Sequence, residues 1–317
     1  MLVAFGDLVI FTGNAHPRLT QEICSYLKIP LGKAEVFKFN NDNTFVKILE
    51  NVRQRDVFIV QSTVAPVNDH IMELLIFMDA AKRASAGRIT AVLPYYSYAR
   101  TDKKDQPRVP ITGRLVADLI TTAGADRVLM MDLHAGQVQG FFNLPVDELT
   151  ALPKLVKYFQ DKNLADRVVV ATDEGITKRA RDFASKLDAP LAIVEKRRIG
   201  NADRTEALNV IGNVDGKAAI LFDDEINTGS SMITAAALLT RNGAREIYAT
   251  ATHGVLPGEA TRKLSAVSEI KEIVITDTVP LEDSRRTPKI TVISVADILG
   301  EAIYRIHNGL SVGALFG

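Results

Sequence analysis

Short β-branched apolar runs alternate with amphipathic stretches along most of this chain, and this alternation is the feature that most constrains the fold. The runs begin at Val57, Arg88, Arg127, Val168, Leu191, Ala218, Glu246 and Glu272. Between them lie segments with helical periodicity, such as residues 111–125, which end beside a glycine suited to a helix C-terminus. Strands that alternate with helices form parallel sheets with both faces covered. The sequence therefore predicts an α/β protein.

A weak internal repeat predicts two domains. Residues 57–96 and 218–253 share the order strand, loop, helix, strand, and the 317 residues suffice for two cores of about 150 residues each. We expect an N-terminal domain over 1–147 and a C-terminal domain over 148–297, with the border in a turn-rich stretch between Pro145 and Pro153. The final apolar helix, within 298–317, could pack back on the first domain.

The charge balance and the cysteine content narrow the class of protein. Lys+Arg and Asp+Glu are both 38, so the formal net charge is +0 and no global field attracts a nucleic acid or an anionic membrane. Neither is expected as a partner. The opening apolar run is too short to span a bilayer and predicts a first strand. The only cysteine, Cys24, excludes an intrachain disulfide, is expected to be buried on an early helix, and suits a cytoplasmic location.

The stretch 218–239 has the pattern of a phosphate-binding loop. An apolar run ends in Asp223 and Asp224, a loop follows, and an Ala/Leu-rich helix begins directly behind it. The loop contains Thr228, Gly229, Ser230 and Ser231. The N–H groups of a helix start bind phosphate, while two carboxylates at a strand end hold vicinal hydroxyls or a metal. This combination predicts a ribose phosphate as the ligand.

Two further strand ends carry residues that bind anions or cations. Asp173 is followed by Gly175 and a helix start, which indicates a second anion loop, with a plain strand-to-helix turn as the alternative. Asp132 and His134, two residues apart, can converge on a divalent cation; a capping aspartate beside a solvated histidine is the alternative. Because parallel strands end at a shared crevice, we expect the acidic strand ends to gather at the functional edge of their domains.

Two clusters of cations complete the pattern. Lys196, Arg197 and Arg198 follow an apolar strand, where they form either a solvated loop or, beside two anion loops, a phosphate contact. Residues 95–110 interleave tyrosines with cations and predict stacking on a base and neutralisation of a polyphosphate. A solvated loop is the alternative there, and contact with RNA is a minor one. No GxxxxGK[ST], GxGxxG or HExxH motif is present, which argues against the chemistry of those motifs.

Taken together, these motifs resemble ribose-phosphate diphosphokinases of the phosphoribosyltransferase-like superfamily. The similarity runs nearly end to end through TGNAHPRL, PYYSYARTDKK, MDLHAGQVQGFF, the KRR triplet and DDEINTGSS. It implies two tandem phosphoribosyltransferase-like (Rossmann-like) domains, each a mainly parallel sheet flanked by helices and related by pseudo-twofold duplication. It also implies transfer of the β,γ-diphosphoryl group of Mg-ATP to C1 of ribose 5-phosphate, which leaves AMP.

The resemblance further implies a role for each site residue. Lys196 and Arg198 would act in catalysis by stabilising the charge that develops on the moving group. The residues that would bind ATP are Phe39, Asn41, Asn43, Arg100, Thr101, Asp102 and His134. Those that would bind ribose 5-phosphate are Asp223, Asp224, Asn227, Thr228, Gly229, Ser230 and Ser231. The diphosphate loop would be Asp173, Glu174 and Gly175, and the Mg²⁺ ligands would be His134, Asp132 and Asp173.

Some positions depart from the family pattern. Asn41 and Asn43 stand where carboxylates are usual, which leaves the nucleotide donor open. Asn227 and Ser230 replace an aspartate and a glycine, which leaves the acceptor open. The alternatives are therefore the same transfer to a larger acceptor such as ADP-ribose, a phosphoribosyltransferase, or a catalytically inactive regulatory homologue. The resemblance also implies a homo-oligomer, typically a hexamer built from dimers, in which the Phe39 segment completes a neighbour's ATP site.

Overall fold

The computed structural model describes residues 5–198 and 205–315, with backbone alone at 196–198 and 205–208. The strands are β1 (Leu8–Thr12), β2 (Ala34–Lys38), β3 (Thr44–Ile48), β4 (Asp56–Val60), β5 (Arg88–Leu93), β6 (Arg127–Met131), β7 (Val146–Leu149), β8 (Arg167–Ala171), β9 (Leu191–Arg198), β10 (Thr205–Ile211), β11 (Ala218–Ile226), β12 (Glu246–Gly254), β13 (Ile270–Thr276) and β14 (Ile290–Ile293). The helices are α1 (Pro17–Leu27), α2 (Val67–Arg83), α3 (Thr112–Ala123), α4 (Leu152–Lys162), α5 (Thr177–Lys186), α6 (Ser230–Arg241), α7 (Ala260–Ser265) and α8 (Ala296–His307).

The described residues fall into two compact units. Unit 1 is drawn from Met1–Thr150, Thr278–Pro280 and Ser294–Gly317, and unit 2 from Ala151–Asp277 and Leu281–Ile293. The first division therefore lies at 150/151, beside the border at 147/148 that the sequence predicts. Unit 1 also takes in the last helix.

Unit 1 is built on a parallel sheet with the strand order β1-β4-β5-β6-β7. The inner strand β4 is buried along its whole length, as expected for a strand covered on both faces. The β2–β3 hairpin is antiparallel and forms a separate small sheet. A core of aliphatic and aromatic residues between sheet and helices, including Phe11 and Phe77, holds the unit together.

Unit 2 repeats the topology of unit 1. Its strand order is β10-β9-β8-β11-β12-β13-β14, in which β9 and β10 pair antiparallel and the other pairs are parallel. The series β8-β11-β12-β13-β14 matches β1-β4-β5-β6-β7 strand for strand, and an antiparallel hairpin follows the first strand in both. The common order supports the duplication that the internal repeat predicts.

The C-terminal helix α8 belongs to unit 1. The Tyr26 hydroxyl on α1 donates to Glu301 on α8 over 3.2 Å. At the other end of α8, Nδ1 of His307 lies 2.8 Å from the fully buried carboxylate of Asp56, which Arg88 also binds through two nitrogens. A buried carboxylate with such partners avoids the cost of an unpaired charge.

The α/β class and the two mainly parallel sheets are confirmed. The runs identified in the sequence all form strands, and α3 ends at Gly124 in the left-handed conformation, φ 115°, as expected. Cys24 is buried on α1, and burial raises the pKa of its thiol to about 11. No helix in the part of the chain that the structure describes is long and apolar enough to cross a membrane.

Candidate active site

Acidic side chains gather at the carboxyl edge of the sheet in unit 2. β8 and β11 are neighbours, with Ala171 opposite Phe222, so the residues that follow them, Thr172 and Asp223, lie side by side. The Thr172 hydroxyl donates to Oδ2 of Asp223 over 2.5 Å, and the Asp224 N–H donates to Oδ1 over 2.9 Å. Both oxygens of this carboxylate are therefore held in place.

In the protein without a ligand, the surroundings of Asp223 disfavour its ionised carboxylate. Burial, together with the nearby carboxylate of Asp224, raises the pKa of Asp223 from 3.8 to about 8; the hydrogen bond from Thr172 opposes the shift, and the charge of Asp173 adds to it. Asp173, Asp223 and Asp224 are thus close enough to interact, as the sequence predicts. A concentration of negative charge of this kind favours a ligand that brings hydroxyl donors or a cation.

The Asp173 loop connects β8 to the start of α5. Oδ1 of Asp173 accepts a hydrogen bond from the Ile176 N–H over 3.3 Å, which folds the loop onto the helix start. Glu174 and Gly175 are exposed, and a Cβ at Gly175 would lie 3.2 Å from that same Oδ1. The glycine therefore lets the backbone pass close to the carboxylate, and the exposed N–H groups lie where an anion can approach.

The loop between β11 and α6 has the geometry expected for phosphate binding. Gly229 precedes α6 with φ 80°, and a Cβ there would lie 2.7 Å from the buried side chain of Leu264. Thr228, Ser230 and Ser231 are exposed, and the hydroxyls of Thr228 and Ser230 lie 3.1 Å apart. N–H groups in the first turn of a helix have no acceptor within the helix, so this turn can bind an anion.

The structure corrects the sequence-based interpretation at two places in unit 2. β11 continues to Ile226, so Asp223 and Asp224 lie inside the strand and not at its end. Similarly, β9 continues to Arg198, so Lys196 and Arg198 lie in a strand paired with β10 and not in a loop after it. The backbone hydrogen bonds of the hairpin decide this, and the side chains of Lys196 and Arg198 are outside the described residues.

In unit 1, Asp132 and His134 follow β6. Asp132 is buried and adopts a left-handed backbone, φ 41°, while its N–H donates to the carbonyl of Leu149 over 3.0 Å. Leu133 is buried and His134 is exposed. The turn thus anchors one side chain in the core and presents the imidazole at the carboxyl edge of the sheet.

Arg100, Thr101 and Asp102 lie after β5, at the same edge of unit 1. Thr101 is tied back to the carbonyl of Tyr98 through its N–H (3.0 Å) and its hydroxyl (2.9 Å). Gln137, in the segment that carries His134, donates to Oδ2 of Asp102. This bond joins two of the predicted nucleotide-binding segments.

The tyrosines of this stretch are not all available for stacking. Tyr95 and Tyr96 are buried, and the Tyr96 hydroxyl donates to the carbonyl of Gly113 over 2.8 Å. Burial raises the pKa of Tyr96. The prediction that they stack on a base is therefore wrong for these two residues, which pack in the core.

An exposed aromatic residue, Phe39, lies on the turn of the β2–β3 hairpin. Phe39 is 49% exposed and packs edge-on against Phe37 and Phe45. Asn41 and Asn43 are also exposed, and Oδ1 of Asn41 accepts from the Asn43 N–H over 3.3 Å. Asn41 therefore stabilises the hairpin turn as well as standing at the predicted nucleotide site.

Sequence reasoning missed several residues that support these groups, namely Lys38, Gln137, Glu148 and Thr172. Sequence reasoning could have identified Thr172, because it directly precedes Asp173 at a strand end. Its contact with Asp223, however, depends on β8 and β11 being neighbours, and two other strands separate them in the chain.

Among the described residues, no group of three or more His, Cys, Asp or Glu side chains is arranged to hold a metal ion. Asp132 and His134 belong to unit 1, and Asp173 belongs to unit 2. Neither unit by itself therefore contains an all-protein metal cage within the part described.

The repeated parallel sheets, the acidic residues at the carboxyl edge of unit 2 and the glycine-led helix start define a duplicated α/β protein with a loop of the phosphate-binding type. Residues 8–124 match the N-terminal domain of ribose phosphate pyrophosphokinase, and residues 199–317 match the phosphoribosyl synthetase-associated domain.

Relatives with these domains match over nearly the full length. The ribose-phosphate pyrophosphokinase of Caldanaerobacter subterraneus is 56% identical over 311 residues, 98% of each chain. That of Clostridium acetobutylicum is 52% identical over 98% of this chain and 97% of its own. The crystal structure of phosphoribosylpyrophosphate synthetase from Mycobacterium smegmatis has a TM-score of 0.90 at 41% identity, covering 96% of this chain and 100% of that one. The chain belongs to the ribose-phosphate pyrophosphokinase family.

Proposed function

We propose that this protein transfers the β,γ-diphosphoryl group of Mg-ATP to the C1 hydroxyl of ribose 5-phosphate, giving phosphoribosyl diphosphate and AMP. The observation that carries the proposal is the β11–α6 connection in a chain of this family. There, paired carboxylates at Asp223 and Asp224 are followed within five residues by the glycine-led start of α6. Carboxylates suit the vicinal hydroxyls of a ribose, and the helix start suits its phosphate.

On the acceptor side, Asp223 and Asp224 would hold the ribose hydroxyls. The 5-phosphate would lie on Asn227, Thr228, Gly229, Ser230 and Ser231. The geometry of Ser230 supports an unaltered phosphate site. The left-handed residue of the loop is Gly229, while Ser230 is the first residue of α6. A side chain at 230 therefore causes no backbone strain, and its hydroxyl adds a donor beside Thr228.

On the donor side, the nucleotide would be bound by exposed and half-buried groups of unit 1. These are Phe39, Asn41 and Asn43 on the hairpin, Arg100, Thr101 and Asp102 after β5, and His134 after β6. Phe39 offers an aromatic face for a base, and the two amides can both donate and accept, unlike a carboxylate. We therefore expect these two amides to determine whether adenine or another base is bound.

The donor set fits magnesium. Mg²⁺ keeps several waters and binds one or two carboxylates together with substrate phosphates, so it needs no all-protein cage. Asp132 and His134 would bind the Mg²⁺ of Mg-ATP, and Asp173 would bind a second Mg²⁺ near the diphosphate. Magnesium, when bound, would neutralise charge on the phosphate oxygens.

Catalysis on this proposal requires positioning and charge stabilisation, and no protein nucleophile. Asp223 is held at both oxygens and so orients the sugar. The loop of Asp173, Glu174 and Gly175 would receive the diphosphate. Lys196 and Arg198 would stabilise the charge that develops on the moving group. Diphosphoryl transfer in a pre-organised site depends mainly on such terms.

Assembly and location follow from the same proposal. A homo-oligomer, typically a hexamer built from dimers, would let the exposed Phe39 hairpin complete a neighbour's ATP site. A cytoplasmic location remains a prediction from the single cysteine.

The test is AMP formation from Mg-ATP with and without ribose 5-phosphate, followed by phosphorus NMR of the sugar product. AMP that depends on the sugar, with the diphosphate transferred intact, is the expected result. AMP only with ADP-ribose would move the proposal to a larger acceptor. Diphosphate release from phosphoribosyl diphosphate and a base would indicate a phosphoribosyltransferase, and activity only with a co-purified partner would indicate a regulatory subunit.

A further inference from the structure

Glu148 lies at the end of β7, on the edge of the sheet in unit 1, and reaches over to the segment that follows β6. Its Oε1 accepts the N–H of Leu133 over 2.8 Å, and its Oε2 accepts the side-chain amide of Gln139. One carboxylate therefore contacts both sides of the turn that carries His134.

The position of Glu148 in the sheet explains this reach. β6 and β7 are parallel, with Met130 opposite Glu148, and Val146 points to the same face as Glu148 because alternate residues share a face. Val146 packs on the apolar core together with Leu133 and Val138. A carboxylate on that face is costly unless it is hydrogen-bonded, and the N–H of Leu133 and the amide of Gln139 supply such bonds.

The bond to Leu133 acts next to His134 itself. Leu133 is 2% exposed, and its backbone follows the left-handed Asp132, whose N–H is bound to Leu149. The strand end therefore holds two successive N–H groups, those of residues 132 and 133. This arrangement restricts the rotation of the chain directly before the exposed imidazole.

The same segment is tied to a second predicted nucleotide-binding loop. Gln137 donates to Asp102, while Gln139, two residues further on, donates to Glu148. A shift of the turn would move His134 and would also loosen the contact with Asp102. Glu148 is thus placed to set the geometry of both groups at once.

We propose that Glu148 is a positioning residue for nucleotide binding. It holds the 132–139 turn so that His134 and Asp102 face Mg-ATP in a fixed arrangement. The inference rests on the proposed function, because it takes His134 and Asp102 as nucleotide contacts. Removal of a residue that orients a ligand of a metal typically changes metal affinity or activity by about 10- to 100-fold, and His134 is proposed here as such a ligand.

The test compares Glu148→Ala with Glu148→Gln. Alanine removes both acceptors, whereas glutamine keeps an oxygen for Leu133, and its N–H₂ can bond to Gln139 once that amide turns over. Glu148→Ala is expected to raise the KM for Mg-ATP about 10-fold while kcat and the KM for ribose 5-phosphate stay within about twofold. Glu148→Gln is expected to restore most of the Mg-ATP affinity. Asp147→Asn is the matched control, since it alters the next residue of the same strand, which binds Arg127.

A readout independent of activity is hydrogen–deuterium exchange by mass spectrometry. In Glu148→Ala, faster exchange is expected in peptides covering 132–140 and not in the rest of unit 1. An unchanged KM for Mg-ATP, an unchanged exchange rate at 132–140, or a general loss of protection across unit 1 would overturn the inference. An equal defect in the glutamine variant would also overturn it, since charge and not hydrogen-bond geometry would then be responsible.

The two proposals fail separately. If the wild-type protein forms no sugar-dependent AMP, the proposed function is refuted. Exchange at 132–140 and the binding of Mg-ATP, measured by calorimetry in wild type and variants, then decide the role of Glu148.

Discussion

The hydroxyl of Thr172, directly after β8, donates a 2.5 Å hydrogen bond to Oδ2 of Asp223 on the neighbouring strand β11. The bond stabilises the ionised carboxylate of Asp223, whereas burial destabilises it. It also orients the residue proposed to hold the ribose. The chemistry of Asp223 is therefore tuned by a neighbour on another strand.

Thr172→Val is expected to raise the pKa of Asp223 further, because it removes a donor to the charged form. If the ionised carboxylate binds the ribose hydroxyls, kcat/KM for ribose 5-phosphate should fall about fivefold at pH 7, as a hydrogen bond of about 1 kcal/mol implies. The acidic limb of the pH profile should move to higher pH. Thr172→Ser should keep the wild-type profile, and coincident profiles for wild type and valine variant would contradict the assignment.

Asp223→Asn is expected to stabilise the protein alone at alkaline pH. The folded pKa is about 8 and the unfolded value is 3.8, so between these values the folded state binds more protons than the unfolded state. The contribution of Asp223 to the free energy of unfolding therefore falls as pH rises through this window. The variant lacks this loss, so its melting temperature should exceed that of wild type by about 4 °C at pH 9 and match it near pH 4.

Thermal unfolding at pH 4, 6 and 9 measures this difference. Asp182→Asn, at an exposed carboxylate on α5, is the control and should show no comparable pH-dependent gain. A constant offset between Asp223→Asn and wild type at all pH values would count against the raised pKa.

Gly229→Ala is expected to damage the phosphate loop more than left-handed strain alone would. Gly216 has a similar φ of 69° with nothing within 4 Å of a Cβ, whereas at Gly229 a Cβ would lie 2.7 Å from Leu264. Gly216→Ala should therefore show only the strain, about 1–2 kcal/mol. Gly229→Ala should lose more stability than Gly216→Ala in urea unfolding, and its affinity for ribose 5-phosphate should fall at least tenfold. Equal losses in the two variants would refute the steric argument.

Lys38→Met is expected to weaken nucleotide binding without changing the fold. Nζ of Lys38 lies 2.8 Å from Asp42 in the hairpin turn and 2.8 Å from Asp69 on α2, which ties the turn bearing Asn41 to the helix. Exposed ion pairs are weak and screened by salt. At low ionic strength the KM for ATP of the variant should be about threefold above that of wild type, and in 0.5 M salt the two values should converge, because salt screens the ion pairs of the wild type.

The matched control for this variant is Lys47→Met, on the exposed face of β3 in the same hairpin. Equal changes in KM in the two lysine variants would indicate a general charge effect and not a tether.

Much of the fold could be predicted because the signals are local. The alternation of strand and helix, the left-handed Gly124 after α3 and the helix start behind Gly229 are each encoded within about a dozen residues. The edge strands β7 and β14, which are short and only partly buried, carry weaker signals and were missed. The same holds for the exposed hairpin, where apolar periodicity is incomplete.

The site was predicted less fully for the same reason. Asp173 and Asp223 could be identified because each follows a buried apolar run. The stacking prediction failed at Tyr95 and Tyr96 because burial depends on which elements cover them, and composition does not report that. Residues 196–198 were assigned to a loop because the pairing of β9 with β10 has no signal in the cationic triplet.

The sequence by itself determined the α/β class, the duplication and the acidic strand ends, because side-chain periodicity and strand polarity are properties of short segments. The tertiary structure decided which strand ends become neighbours. It placed Thr172 beside Asp223 and brought Glu148 over Leu133. Such contacts join residues far apart in the chain or on different strands, and they form only once the apolar faces of the sheets are packed.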